Sequence, residues 1–274
     1  MDTSHITMEI CSVELISAPD HPWMVMIHGF GGSRHMWKRQ VEEFKHDYNL
    51  MILELPGHGD SIHGAADHPD IDIVEIAKRL VDHIHEKGIE KADFLCVSLG
   101  SLVMSAIVDI CPELVRSVLL CGAIFGMKGI MKLILNFGNV MKIFLPYMVV
   151  IRLLAWVLMP KHSHKVSRKF LVMECKKLGR KEFHKWYGIL CSELRRLKNN
   201  IEKFIPLNAF VVMGREDFVF IQPALETMKD YAGKIQFTVM EQCGHVCSLQ
   251  KWREFNVIAS DFFRGAPGLA RHTK

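Results

Sequence analysis

Ala92-Asp93-Phe94-Leu95-Cys96-Val97-Ser98-Leu99-Gly100-Ser101-Leu102-Val103 is the stretch that decides the fold class. Its first half is a short, near-continuous apolar run, the composition of a strand buried on both faces. From Leu99 to Ile110 the apolar residues continue as a buried helix would. The same alternation extends outward in both directions. Trp23–Phe30 and Tyr48–Leu55 precede it as apolar runs that end in glycine-rich turns, and Ile71–Lys87 carries Ile73, Ile76, Ala77, Leu80, Val81 and Ile84 at helical spacing. Arg116–Ala123, Leu207–Gly214 and Lys234–Glu241 follow as strands, with helices near Ile221–Tyr231 and from about Leu249 to Phe263. Apolar strands separated by helices predict an α/β fold built on a mostly parallel, doubly wound sheet.

The alternation is interrupted between Ala123 and Phe204. Gly129–Pro160 is very apolar, yet Lys132, Asn136, Asn139 and Lys142 recur at helical spacing as a polar stripe. Pro146 ends that helix, and the apolar segment after it has Arg152 as its only charge. The uncharged runs are shorter than the roughly 18–20 residues a membrane span needs, so a buried or interfacial helical pair is expected. Lys161–Lys203 continues as basic helical sequence. Charge marks the same block: Gly122–Lys203 holds 17 Lys and Arg against four glutamates, a net of +13, which leaves −9 for the rest of a chain whose total is +4. The expected organisation is a core made of residues 1–123 and 204–274 with an all-helical cap, residues 124–203, inserted into it.

The motifs supply the chemistry. Cys96-Val97-Ser98-Leu99-Gly100, between a predicted strand and a predicted helix, resembles the Gly-x-Ser-x-Gly nucleophile elbow of the α/β-hydrolase family, with Cys96 in place of the first glycine. A serine needs a base, and the base needs an orienting acid. In that family they follow in the order Ser, acid, His, each on a loop after a later strand. Gly214-Arg215-Glu216-Asp217 resembles the acid loop and Cys243-Gly244-His245 the histidine loop, which makes Ser98, Asp217 and His245 the expected catalytic triad, with Asp217 preferred to Glu216 by its spacing from Gly214. His28-Gly29-Phe30-Gly31-Gly32 resembles the family's oxyanion loop, so the backbone N–H groups of Phe30 and Leu99 are expected to form the oxyanion hole. Leu55-Pro56-Gly57-His58-Gly59-Asp60-Ser61 resembles a structural loop of the same family. The resemblance covers residues 22–123 and 204–264. With only about twenty residues before the His-Gly loop, the family's opening pair of strands should be shortened.

The resemblance implies acyl transfer through a covalent intermediate, with no cofactor and no metal. The lone His83-x-His85 and His162-x-His164 pairs lack a carboxylate or cysteine cluster to make a metal site. His28, Gly29 and two cap methionines, Met127 and Met131, are the expected substrate-binding residues, since flexible thioethers line adaptable apolar pockets. The apolar, basic cap suits a lipophilic molecule with an ester or anionic head: a medium- or long-chain acyl ester or lactone, or a lipid met at an anionic membrane surface. A carbon–carbon bond hydrolase, a thioesterase, an acyltransferase or a receptor on the same scaffold remain open alternatives, because a fold does not dictate a reaction. No glycine-rich phosphate motif and no nucleic-acid motif accompanies the basic block. Eight scattered cysteines without Cys-x-x-Cys spacing, and an N-terminus without a basic and apolar leader, point to a cytoplasmic protein.

Overall fold

The computed structural model describes residues 10–61, 64–68, 70–126, 129–196 and 200–265. A seven-stranded sheet in the order β1-β3-β2-β4-β5-β6-β7 forms its centre. β2 (Trp23–Ile27), β3 (Asn49–Glu54), β4 (Ala92–Val97), β5 (Val115–Cys121), β6 (Asn208–Gly214) and β7 (Gln236–Met240) pair in parallel. β1 (Cys11–Leu15) lies antiparallel on β3 at one edge. Among the described residues, β1 is the strand that precedes β2; residues 1–9, on which the rest of the expected opening pair falls, lie outside the described residues.

Strand period and burial explain the layers. Val25, Met51, Phe94 and Leu120 point into an apolar cluster on one face, while Met24, Leu50, Leu95 and Leu119 point into a second cluster on the other. Helices α2 (Ile73–Glu86) and α3 (Leu99–Ile110) cover the first face, and α1 (Lys38–Phe44) and α9 (Trp252–Phe263) the second. α2 starts where it does because the Asp72 side chain accepts from Glu75 N at 2.9 Å, capping the first turn, and the predicted apolar stripe is its buried face. The one charge inside β4, Asp93, is buried but accepts from Arg116 Nε at 2.9 Å and Ser117 Oγ at 2.6 Å, which offsets its desolvation.

Among the described residues, three α-helices intervene between β5 and β6: α4 (Gly129–Phe144), α5 (Tyr147–Leu158, starting after Pro146) and α6 (Lys165–Arg196), which is broken at Gly179 by a φ of 78°. None of the described helices is long and apolar enough to cross a membrane. The remaining helices are α7 (Ile221–Asp230) and α8 (Cys247–Gln250); Lys251 separates α8 from α9, so the single last helix expected from the sequence is two.

Polar ties hold α6 to the core, one of them the Lys181–Asp67 ion pair at 2.9 Å. Trp186, fully buried, donates from Nε1 to Pro56 O at 2.9 Å, and Glu182 accepts from Ala66 N at 2.8 Å. Truncating a buried aromatic removes its packing and leaves a cavity, so Trp186→Ala should lower the unfolding free energy by about 3–5 kcal/mol. A urea midpoint indistinguishable from wild type would contradict this account of the α6 contact.

Candidate active site

Ser98 sits at the turn from β4 into α3 with φ 53° and ψ −117°, a left-handed conformation that is strained for a residue with a side chain. The turn survives because its surroundings hold it. Ser98 N donates to Cys121 O at 3.0 Å, Ser101 N and Oγ donate to Ser98 O at 2.8 and 2.7 Å, and Ser101 Oγ in turn accepts from Ile124 N at 3.1 Å. Gly100 has to be a glycine: a Cβ there would stand 2.6 Å from Ile27 O. Gly29 is nearly as tight, with a Cβ meeting Ser98 Cβ at 3.0 Å. Cys96, the departure from the elbow pattern, is fully buried in β4, and burial pushes its thiol pKa up. It acts as a small neutral packing residue.

The loops after β6 and β7 bring the other two residues to Ser98. His245 Nε2 lies 2.8 Å from Ser98 Oγ, and His245 Nδ1 lies 2.6 Å from Asp217 Oδ2. Asp217 is fully buried, and its other oxygen accepts from Phe220 N at 3.0 Å and Val219 N at 3.3 Å. With Oδ1 engaged by backbone donors, Oδ2 is aimed at the imidazole. Burial works to lower the His245 pKa, but the charge and hydrogen bond of Asp217 outweigh it, and the net shift is upward. Glu216, the neighbouring carboxylate, points elsewhere: it accepts from Lys161 Nζ at 2.7 Å and lies 2.9 Å from His164 Nε2, tying the α5–α6 connection to the acid loop.

Phe30 and Leu99 both line the cavity that opens at Ser98, and no hydrogen bond to either N–H is found among the described residues. Their neighbours' donors are used, Gly31 N by His58 Nε2 at 3.1 Å and Gly32 N by Gly29 O at 2.9 Å. Leu99 is the first residue of α3, so its N–H is one that the helix leaves unpaired, at the positive end of its dipole. Two free donors beside a serine hydroxyl can receive an oxyanion.

Of the expected substrate-binding residues, Gly29 lines the cavity, but His28 does not. His28 is completely buried; its Nδ1 lies 2.8 Å from Gly29 O and its Nε2 accepts from Leu55 N at 3.0 Å. Burial lowers its pKa to about 4, so the ring is neutral, and it pins the loop of residues 28–32 to the end of β3. Met127 lies outside the described residues, and of Met131 only the place in α4 is described. Among the described residues, the methionines that line the cavity are Met36 and Met159. His58 was missed as a site residue. It sits in the Pro-Gly-His-Gly loop and is buried against Trp186, and its contact with the oxyanion loop is long-range in sequence.

The cavity runs from Ser98 and His245 between core and insert, walled by side chains such as Leu145, Leu154, Leu171, Leu190, Val219 and Phe220. No Lys, Arg, Asp or Glu is among its described lining residues. Nor do the described residues include a group of three or more His, Cys, Asp or Glu placed to hold a metal ion. His164, from one of the paired-histidine motifs, is engaged with Glu216, and His83, from the other, lies 2.8 Å from Ser12 Oγ.

A parallel sheet with a serine elbow, and an acid and a histidine on loops after later strands, defines the α/β hydrolases. The chain belongs to this alpha/beta hydrolase family, whose model matches residues 24–257. A curated relative, the (E)-2-((N-methylformamido)methylene)succinate hydrolase of Acinetobacter baylyi, is 30% identical over 102 residues, which are 37% of this chain and 38% of that protein. The aligned stretches cover about a third of the length of such curated relatives. Among solved structures, the enol-lactonase of Burkholderia xenovorans LB400 superposes with a TM-score of 0.74 at 15% identity, covering 93% of this chain and 96% of that one. A structure from a study of carboxylesterases of Nitrososphaera gargenis gives 0.75 at 16% identity, covering 93% and 94%.

The His245 geometry makes a pH prediction. Ser98 can be deprotonated only by the neutral imidazole, and Asp217 favours the protonated one. The reaction of Ser98 with an organophosphonate should therefore rise with pH, with a midpoint above the ordinary histidine value of about 6.5. Asp217→Asn, which removes the charge and misorients the ring, should slow that reaction by about 10⁴-fold. A wild-type midpoint below 6.5, or an unaffected Asp217→Asn rate, would contradict the assignment.

Proposed function

We propose that the protein is a serine hydrolase of the esterase and lipase type, which cleaves a carboxylic ester or lactone of a lipophilic, medium- or long-chain acyl group. The observation that carries this reading is the Ser98 Oγ–His245 Nε2 contact of 2.8 Å at the end of a cavity whose described walls are uncharged and almost wholly apolar. His245 takes the hydroxyl proton as Ser98 attacks the substrate carbonyl, and Asp217 stabilises the imidazolium so formed. The oxyanion of the tetrahedral intermediate accepts from Phe30 N and Leu99 N. His245 then protonates the leaving alcohol, which departs and leaves an ester on Ser98. Water attacks that ester with His245 again as base, releasing the acid and restoring the serine. The chemistry asks for no metal and no organic cofactor.

The character of the cavity refines the substrate. The Acinetobacter relative acts, by its name, on a succinate. A dicarboxylate would have to leave water for walls that offer no cation among the described residues, a cost of several kcal/mol per charge. An uncharged acyl chain gains there instead, so the anionic head admitted by the sequence gives way to a neutral ester. The enol-lactonase and carboxylesterase structures accord with ester and lactone chemistry on this scaffold.

Two measurements test the reading. A fluorophosphonate probe should label the wild type and fail on Ser98→Ala and on heat-denatured protein. Along a series of p-nitrophenyl esters from acetate to laurate, kcat/KM should rise by up to about fourfold per methylene until the cavity is filled, the equivalent of about 0.8 kcal/mol per buried CH₂. Faster cleavage of acetate than of decanoate would remove the lipophilic substrate, and absence of labelling would remove the enzyme.

A further inference from the structure

α4 and α5 each turn an apolar stripe to solvent. On α4, Leu133, Phe137, Val140 and Phe144 follow one another at steps of four, three and four residues, which places them on one face of the helix. All four are at least half exposed, Phe144 by 73%. On α5, Leu153 and Trp156 are exposed by 57% and 61%. Large apolar side chains scattered singly over a surface are ordinary, but a row of them on adjoining helices marks a surface that meets something apolar.

The two stripes converge on the mouth of the cavity. Phe137 and Leu153 each line the cavity while remaining more than half exposed, so they form its rim. A partner lying on this face would therefore cover the opening that leads to Ser98.

Charge decides which partner. From Gly129 to Met173 the chain carries seven Lys and Arg and not one Asp or Glu. Arg152 is exposed on α5 beside Leu153, and the Arg168 guanidinium stands 5.9 Å from the centre of the Trp156 ring, so cations border the apolar side chains. An apolar ridge bordered by Arg152 and Arg168, on a stretch of chain where Lys161 and His164 meet the carboxylate of Glu216, fits a surface that is apolar inside and anionic outside. α4 and α5, at 16 and 12 residues, are too short to cross a bilayer but long enough to lie in its headgroup region. We propose that this face of α4 and α5 docks on an anionic lipid bilayer, with Phe144, Trp156 and their neighbours inserted among the headgroups and the cavity mouth facing the acyl chains. The docking needs no catalysis; that the substrate enters from the bilayer rests on the ester-hydrolase reading above.

The test is co-sedimentation of the full chain with two kinds of vesicle, pure phosphatidylcholine and an equimolar mixture of phosphatidylcholine and phosphatidylglycerol. Binding to the mixed vesicles should exceed binding to phosphatidylcholine at least tenfold and weaken with added salt, because cationic side chains contribute through a screened potential. The double variant Phe144→Glu and Trp156→Glu should lose at least tenfold in binding to the mixed vesicles while cleaving a water-soluble short-chain ester as the wild type does, which shows that it is folded. Ser98→Ala should bind the vesicles as the wild type does, so failure of the enzymatic reading and failure of docking register in different assays. Three results would overturn the proposal: no sedimentation with the mixed vesicles, equal binding to both vesicle types, or a concentration-dependent dimer that the double variant abolishes without any change in vesicle binding. The last would assign the ridge to a second copy of the chain.

Discussion

The left-handed backbone of Ser98 is the constraint from which the rest of the site follows. A non-glycine residue at φ 53° costs on the order of 1–3 kcal/mol, and a turn of this kind persists only where its neighbours permit no alternative. Here β2 and β5 flank the turn: Ile27 O closes against Gly100, and Cys121 O accepts from Ser98 N. The sheet order that puts β4 between those two strands is thus what keeps the hydroxyl raised above the strand ends and α3 directed away beneath it. The position of Asp217 and His245 follows from the same order, since β6 and β7 continue the sheet outward from β5 and end their loops on the same side.

Around that turn the molecule surrounds its reactive groups with buried and neutral ones. His28 and His58 lie at the back of the oxyanion loop, and burial lowers the pKa of both. They accept from Leu55 N and Gly31 N and so fix the loop without adding charge beside the oxyanion. Glu54, also buried there, has its pKa raised to about 7 by desolvation, which lessens the negative charge behind the site. On the hydrolase reading proposed above, a developing oxyanion would meet the positive end of α3 and the N–H groups of Phe30 and Leu99, which have no partner among the described residues.

The legibility of the sequence followed the range of the interactions. The apolar runs of β2 to β6 and the stripe of α2 could be read because local burial determines them, and the three loops bearing Ser98, Asp217 and His245 could be read because tight turns demand particular small residues. β1 could not, since Cys11–Leu15 is only half-buried and gains its identity from pairing with β3. α1, of seven residues, was likewise too short to show a period. The break at Gly179 and the break at Lys251 are single-residue backbone events inside helical composition. His28 differs for another reason: its neighbours Gly29 and Phe30 line the cavity while its own ring is buried away from the described lining, and residue type alone does not tell which way a ring in a tight loop turns.

The inserted helices do two opposing things with one composition. Inward, toward Ser98, their described lining residues are mostly leucine, valine and phenylalanine with no Lys, Arg, Asp or Glu, and a wall of that kind would strengthen hydrogen bonds made to a bound carbonyl. Outward, they keep an unusual density of cations and no carboxylate over a long stretch, while leaving apolar side chains in solvent. Covering the apolar cavity would not by itself require either outward feature, because a cap needs only one apolar face per helix and gains solubility from charges of both signs. Glu216, next to the acid of the site, accepts from Lys161 and lies against His164 at the junction of α5 and α6. Glu216 thus ties the junction of α5 and α6 to the residue next to Asp217, whose Oδ2 lies 2.6 Å from His245 Nδ1.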